Sequence, residues 1–371
     1  MTPRAQALAA LGAAAVLPLF LNPGGIALHN MVLAAAYVVM ALGLNIVVGF
    51  ANLLDLGYVA FFAIGAHVTA YFGSGFWANT HVAFLVGGPE AHVPGIHLNF
   101  LIVLVLAAIA TAVAGLLIGL PTLRLRGDYV GIVTLAFGEI IGQIVSNGRQ
   151  ISLFGGSLTG GPSGISVIDP IDLPFAGRFD ALHLRPWYWF ALALVALTLV
   201  VNVRLRDSRI GRAWMALRDD EAAAASAGVP IVRTKLQAYA TGAALGGIAG
   251  AFLASYLTTV DPHQFTFSFS IFILAMVVLG GLGSIWGVVV GAIVLSVINN
   301  YLLPSVLAGL PRDLGLDFDL SMISSGIYGL LLVLIMLLRP EGLVPRRVRF
   351  PRERAVARTI MNIRGKRVAG A

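Results

Sequence analysis

The chain has 371 residues, of which 58% are hydrophobic and only 11% charged, with 43 Gly, no Cys and a formal net charge of +7. Soluble domains carry about 25% charged residues, so an ordinary globular protein is excluded. The absence of Cys also excludes a disulfide framework, thiolate metal sites and a cysteine nucleophile. An all-α polytopic membrane protein remains.

Between Arg4 and Glu90 the only charged residue is Asp55, and between Asp261 and Arg312 there is none. A bilayer core takes about 20 apolar residues per helix. With charges, Pro/Gly clusters and polar breaks as punctuation, about ten spans are predicted, at 5–21, 28–50, 57–77, 100–120, 129–146, 187–203, 236–260, 268–282, 285–303 and 320–338. The 268–303 stretch also reads as one long broken helix. Arg4 would suit the start of a cleaved signal peptide, but no soluble exported domain follows, so the first span is read as retained.

Cytoplasmic connections collect Lys and Arg. An N-terminus inside places Arg4, Arg124, Arg126, the seven basic residues from Arg204 to Lys235 and the C-terminal tail on that side, 20 of 24 in all. Arg149, Arg178, Arg185 and Arg312 fall outside, among Asp169, Asp172, Asp180 and Asp313. Both termini are then cytoplasmic, residues 1–338 form the membrane domain, and residues 339–371 form a basic tail of net charge +8. That tail has a single aromatic residue, Phe350, so it reads as a contact for lipid headgroups and not for nucleic acid.

Two breaks look alike, Leu53-Leu54-Asp55-Leu56-Gly57 and Leu279-Gly280-Gly281-Leu282-Gly283, with 226 residues between Gly57 and Gly283. The match admits an internal repeat. In either case Asp55 and Ser284 are expected to cap the helices that follow. The glycines Gly57, Gly280, Gly281 and Gly283 are candidate hinges, or positions of close helix packing. N–H groups at these helix starts would point unpaired towards the inner mouth.

Glu139 is the one acid clearly inside a span. It either faces a polar cavity with Gln143 one turn on, or is neutral and hydrogen-bonded between helices. The outward loop 147–186, with Arg149, Arg178 and Arg185, is long enough to be a docking surface. His81, His92, His97 and His183 are scattered over outward loops, and no zinc pair, serine nucleophile elbow or phosphate-binding loop occurs in the chain. No catalytic or metal-ligating residue is assigned, and any ATP and Mg2+ belong to other polypeptides.

The inner connection 204–235 is long for a membrane turn. Its middle, from Arg212-Ala213-Trp214 to Glu221-Ala222-Ala223, is rich in helix formers and is stopped by Gly228 and Pro230. A short helix with an exposed Trp and both signs of charge is expected there, shaped to lie in a groove on a cytosolic partner or to pack on the protein's own inner surface.

Six motifs in order then carry a resemblance: Gly43-Leu44-Asn45 through Gly65-Ala66; Leu125-Arg126-Gly127-Asp128-Tyr129 to Phe137-Gly138-Glu139; Leu158-Thr159-Gly160-Gly161-Pro162; Gly211-Arg212-Ala213-Trp214 to Glu221-Ala222-Ala223; Val278 to Ser284; and Arg339-Pro340-Glu341-Gly342-Leu343. Together, from about residue 30 to 345, they resemble the LivM-type permeases of branched-chain amino acid ABC transporters. The resemblance implies a multi-pass protein of the prokaryotic inner membrane with a sister permease, two cytosolic ATPases and an extracytoplasmic solute-binding protein. It also implies that Arg212, Trp214, Arg218, Asp220, Glu221, Ala222, Ala223 and Gly228 belong to a coupling segment gripped by the ATPases. Leu, Ile and Val are implied as cargo, with urea or short amides as the alternative, and a stand-alone ion-coupled carrier as the alternative of another class. Two departures stand out: four residues separate Glu-Ala-Ala from Gly228 where the general importer pattern has three, and Gly142 stands where relatives often have Arg.

Overall fold

A computed structural model describes residues 11–78, 80–86, 92–122, 125, 129–153, 156–173, 177–180, 182–306, 324–339 and 341–344. Arg4, Arg124, the Arg126-Gly127-Asp128 motif, Arg312, Asp313, Pro340 and the basic tail from residue 345 lie outside the described residues.

Eleven helices are named in chain order: α1 Ile26–Leu44, α2 Val59–Phe72, α3 Phe100–Thr122, α4 Tyr129–Asn147, α5 Leu184–Asp207, α6 Arg209–Asp219, α7 Glu221–Ser226, α8 Ile231–Leu257, α9 Phe267–Gly280, α10 Ile285–Val297 and α11 Ser324–Leu338. α1 and α10 run on into π-helical segments, Asn45–Phe50 and Ile298–Val306. Six of the described helical segments are long and apolar enough to cross a membrane: Ile26–Phe50, Phe100–Thr122, Tyr129–Gln150, Leu184–Asp207, Ile231–Leu257 and Ile285–Pro304. α2 and α9, expected at 57–77 and 268–282, are shorter, at 14 residues each. The first is cut by the break before it and by Gly73 after it; the second ends at Gly280-Gly281.

α8 is the centre of the bundle and packs on α1, α2, α3 and α6. Its small residues permit this. A Cβ on Gly65 of α2 would run into the backbone of Gly247, one on Gly247 into Thr111 of α3, and one on Gly250 into the Phe62 carbonyl. With lipid tails as apolar as leucine, such close contact supplies the association energy between membrane helices. Hydroxyls on these faces turn back to their own helices, as Thr111 does to the Ala107 carbonyl at 2.7 Å.

Loops gather at two ends. At one end short strands tie distant segments: Gly95–Leu98 lies between Gly73–Ser74 and His81–Phe84, and Ile165–Ser166 pairs with Thr259–Val260. His97 is buried there with Nδ1 2.7 Å from Asp169 Oδ2. At the other end lie the break 51–58, the α5–α8 connection, the α9–α10 turn and residues 341–344, whose Leu343 and Val344 N–H groups donate to the Leu279 and Gly280 carbonyls at 2.8 and 3.2 Å.

Gly65→Ala should therefore destabilise the protein by about 1–3 kcal/mol, because backbone faces backbone and neither side can give. Gly326→Ala, with nothing within 4 Å of the added carbon, should leave stability unchanged or slightly higher. Thermal unfolding midpoints of the two variants in detergent check this.

Candidate functional site

At the end of the bundle where the helices break, Asn45 is tied to Gly283 and Arg218 to Gly49, and Glu221 lines a cavity with Leu53, Leu54, Lys235 and Leu282. The α1 helix does not stop cleanly. Its π-helical turn, a geometry that often marks functional positions, carries Asn45 fully buried, with Oδ1 accepting the Gly283 N–H at 2.9 Å across 238 residues of sequence. Sequence reasoning gives Asn45 no role; the signal available for it is a second amide, after Asn30, deep in the apolar stretch 28–50. The Gly49 carbonyl at the end of the same turn accepts a hydrogen bond from Arg218 Nη1.

The two breaks differ in detail. Ser284 caps α10 as expected, its Oγ accepting the Gly287 N–H at 3.2 Å. Asp55 does not cap α2. Its Oδ1 accepts from Gly57 N–H at 2.9 Å, two residues on, and the α2 N-cap residue is Tyr58, with no side-chain cap. The Val59 N–H goes instead to Ser270 Oγ of α9 at 3.1 Å, and the Leu56 N–H to Thr134 Oγ1 of α4 at 3.0 Å. For the start of α2 the expected row of unpaired N–H groups is thus corrected: α4 and α9 supply hydroxyls to Leu56 and Val59, as a low-dielectric setting demands.

The glycines have local reasons. A Cβ on Gly57 would collide with the Thr134 carbonyl of α4, and one on Gly280 with Gly287. Gly281 and Gly283 have φ of +113° and +80°, values that L side chains rarely adopt, and the Gly281 backbone also receives the close approach of Gly342.

The connection 204–235 is two helices with a kink at Asp220. Ser208 caps α6 through the Gly211 N–H at 3.1 Å, and Asp220 caps α7 through the Ala223 N–H at 2.9 Å. Gly211, Trp214 and Leu217 recur every three residues and form the buried face of α6. The expectation of an exposed Trp is overturned: Trp214 is fully buried, with Nε1 donating to the Thr234 carbonyl at 2.8 Å. Glu221 binds Lys235 of α8 through both oxygens, at 2.8 and 2.9 Å. The exposed residues of the connection include Arg212, Asp219, Asp220, Ala222, Ala223 and Gly228, the last at φ +85°. Arg212 is steadied by its own chain, through Nη1 to the Asp207 carbonyl at 3.0 Å.

Other candidates lie elsewhere. Glu139 and Gln143 are on the exposed face of α4. At the far end Arg149 and Arg178 are exposed. Arg185 is half-buried and donates to the Pro18 and Leu21 carbonyls, both at 3.1 Å, which ties the start of α5 to the segment before α1. Among the described residues no group of three His, Asp or Glu side chains could hold a metal ion.

Asp55 lies in the non-helical break, fully buried, and its Oδ2 has no hydrogen-bond partner among the described residues. Burial pushes its carboxyl from 3.8 up to about 7, against the smaller opposing pull of the Gly57 N–H. The folded chain therefore holds a proton that the unfolded chain releases. The stability this confers is present below the unfolded value and is lost as pH rises through about 7. Asp55→Asn keeps an acceptor for Gly57 and cannot ionise. Its unfolding midpoint should vary less between pH 5 and 8 than that of the natural chain and exceed it at pH 8; thermal scans over that range test this.

Residues 26–338 match the family model described as branched-chain amino acid transport system, permease component. The chain is 37% identical over 353 residues to the high-affinity branched-chain amino acid transport system permease protein LivM of Salmonella typhimurium, covering 88% of this chain and 72% of that protein. It is 39% identical over 338 residues to the LivM protein of Escherichia coli K12, covering 84% and 68%. It is 28% identical over 327 residues to the probable LivM permease of Methanocaldococcus jannaschii, covering 84% and 91%. No solved structure matches.

Proposed function

The chain belongs to the branched-chain amino acid permease family, and from that premise we infer how it is driven. It is a multi-pass membrane protein and the permease component of a branched-chain amino acid ABC importer, a transporter subunit and not an enzyme. Leucine, isoleucine and valine, delivered by an extracytoplasmic binding protein, cross between this chain and a sister permease. Two cytosolic ATPases supply the energy. Ten spans with both termini inside suit the distribution of Lys and Arg.

The observation that carries the coupling role is how the 204–235 connection is held. Trp214, Leu217 and the Glu221–Lys235 pair fix it to the bundle, while Arg212, Asp220, Ala222 and Ala223 stay open to a partner. From its fixed face a short series of polar ties leads inward. Arg218 holds the Gly49 carbonyl at the end of α1, and four residues back Asn45 holds the Gly283 N–H in the α9–α10 turn. An ATPase that displaces α6 and α7 would pull on both the end of α1 and the turn where α9 gives way to α10. Two arrangements of these helix ends, differently compatible with the closed ATPase pair, are what alternating access requires. Gly280, Gly281 and Gly283 would absorb the change.

Exposed and tethering positions should respond differently. Asp220→Lys or Ala223→Glu should abolish copurification with the ATPases. Arg218→Ala should leave assembly intact but lower leucine uptake per ATP hydrolysed by about tenfold, the size of a lost charged hydrogen bond. Uptake and ATP hydrolysis in proteoliposomes with binding protein check both; unchanged stoichiometry in Arg218→Ala rules out the tether.

A further inference from the structure

The α4 helix has two unlike faces. Gly131, Thr134, Gly138 and Gly142 pack against the break 54–57 and Phe265. The opposite face is exposed and carries Glu139, Gln143 and Asn147, three residues at helical spacing. Gln143 and Asn147 are hydrogen-bonded to each other at 3.1 Å, whereas the Glu139 carboxylate has no partner among the described residues. Glu139 lies near the middle of the apolar segment Tyr129–Gln150, about 15 Å from either end at 1.5 Å per residue. An ionisable group at that depth faces water or protein, not hydrocarbon.

The neighbouring helix shows what a lipid face looks like here. The exposed side of α3 is Leu101, Val105, Ile109, Val113, Leu117 and Leu120, with no polar side chain among them. On α4 the polar residues alternate with Ile132, Ile140 and Ile144, which are 59%, 51% and 36% exposed. A carboxylate at mid-depth, amides one and two turns beyond it and isoleucines beside them complement a zwitterion bearing a branched aliphatic side chain.

We propose that this α4 face is a wall of the translocation path and that the Glu139 carboxylate receives the α-ammonium group of the passing amino acid. The proposal rests on the permease reading above and adds to it the group that meets the cargo. The Gln143 Nε2 offers donors to the carboxylate end, its amide held by Asn147, whose Nδ2 donates to the Gln143 backbone carbonyl and Oε1, and the isoleucines accept the side chain. Contact is brief, since a permease that gripped its cargo tightly would not release it.

The absence of native Cys makes the test direct. In the complete reconstituted complex, Gln143→Cys should react with a membrane-impermeant thiosulfonate reagent, faster with a cationic form than an anionic one. That charge preference should vanish when Glu139→Gln is added. Ile109→Cys on α3 should stay unreactive. Glu139→Gln should still copurify with its partners but transport leucine at least about tenfold more slowly, and Glu139→Asp should recover part of the rate. If the natural complex does not import leucine, the permease reading itself fails. If it does, the proposal falls if Gln143→Cys is as inert as Ile109→Cys, which would mean that this face is sealed against the sister subunit. It also falls if the charge preference survives Glu139→Gln, or if Glu139→Gln transports normally.

Discussion

Inside a bilayer a helix that breaks must find partners for its freed backbone groups within the protein. Nearly everything specific about the end of this bundle where the helices break follows from that demand. The break before α2 leaves N–H groups at Leu56, Gly57 and Val59, and they are met by Thr134, Asp55 and Ser270, residues from three different segments. The turn after α9 leaves the Gly283 N–H, met by Asn45 of α1. Apart from the local Asp55–Gly57 bond, each repair joins a helix end to a helix that is not its neighbour in sequence, so the breaks are also the points where α1, α2, α4, α9 and α10 are cross-linked.

Those cross-links lie directly beneath the α6–α7 connection. Arg218 reaches from it to the π-helical end of α1, and Lys235 at the start of α8 holds Glu221. The connection is thus a bracket fixed along one side and bare along the other. A fully buried Trp214 is what makes the fixed side stiff, and a partner acting on the bare side would move the helix ends instead of flexing a loop.

Much of this was legible in the sequence. The apolar stretches are long enough that α1, α3, α4, α5, α8 and α10 fall close to where hydropathy puts them. Ser284 was recognisable as a cap because a Ser directly before an apolar run has one common use. Asp55 sits in the same sequence setting and does something else, because what caps α2 comes from α9 and α4, and no local pattern encodes a neighbour. Trp214 misleads for a related reason: amid charges it looks like a surface anchor, and only the three-residue spacing of Gly211, Trp214 and Leu217 hints that one face of α6 is turned inward. Arg185 was read by its charge, whereas its geometry binds it to two carbonyls of its own chain.

The interlock of glycines between α2, α3 and α8 has a mechanical corollary. Where Gly65 and Gly250 bring the backbones of α2 and α8 into contact and Gly247 seats the short Thr111 side chain of α3, little side-chain layer is left to shear, so these three helices form a stiff slab. α4 meets that slab mainly through its own small residues and the break, leaving a compliant seam along one side. Any rearrangement of the subunit would concentrate its strain in that seam, and the slab would serve as the frame against which the remaining helices tilt.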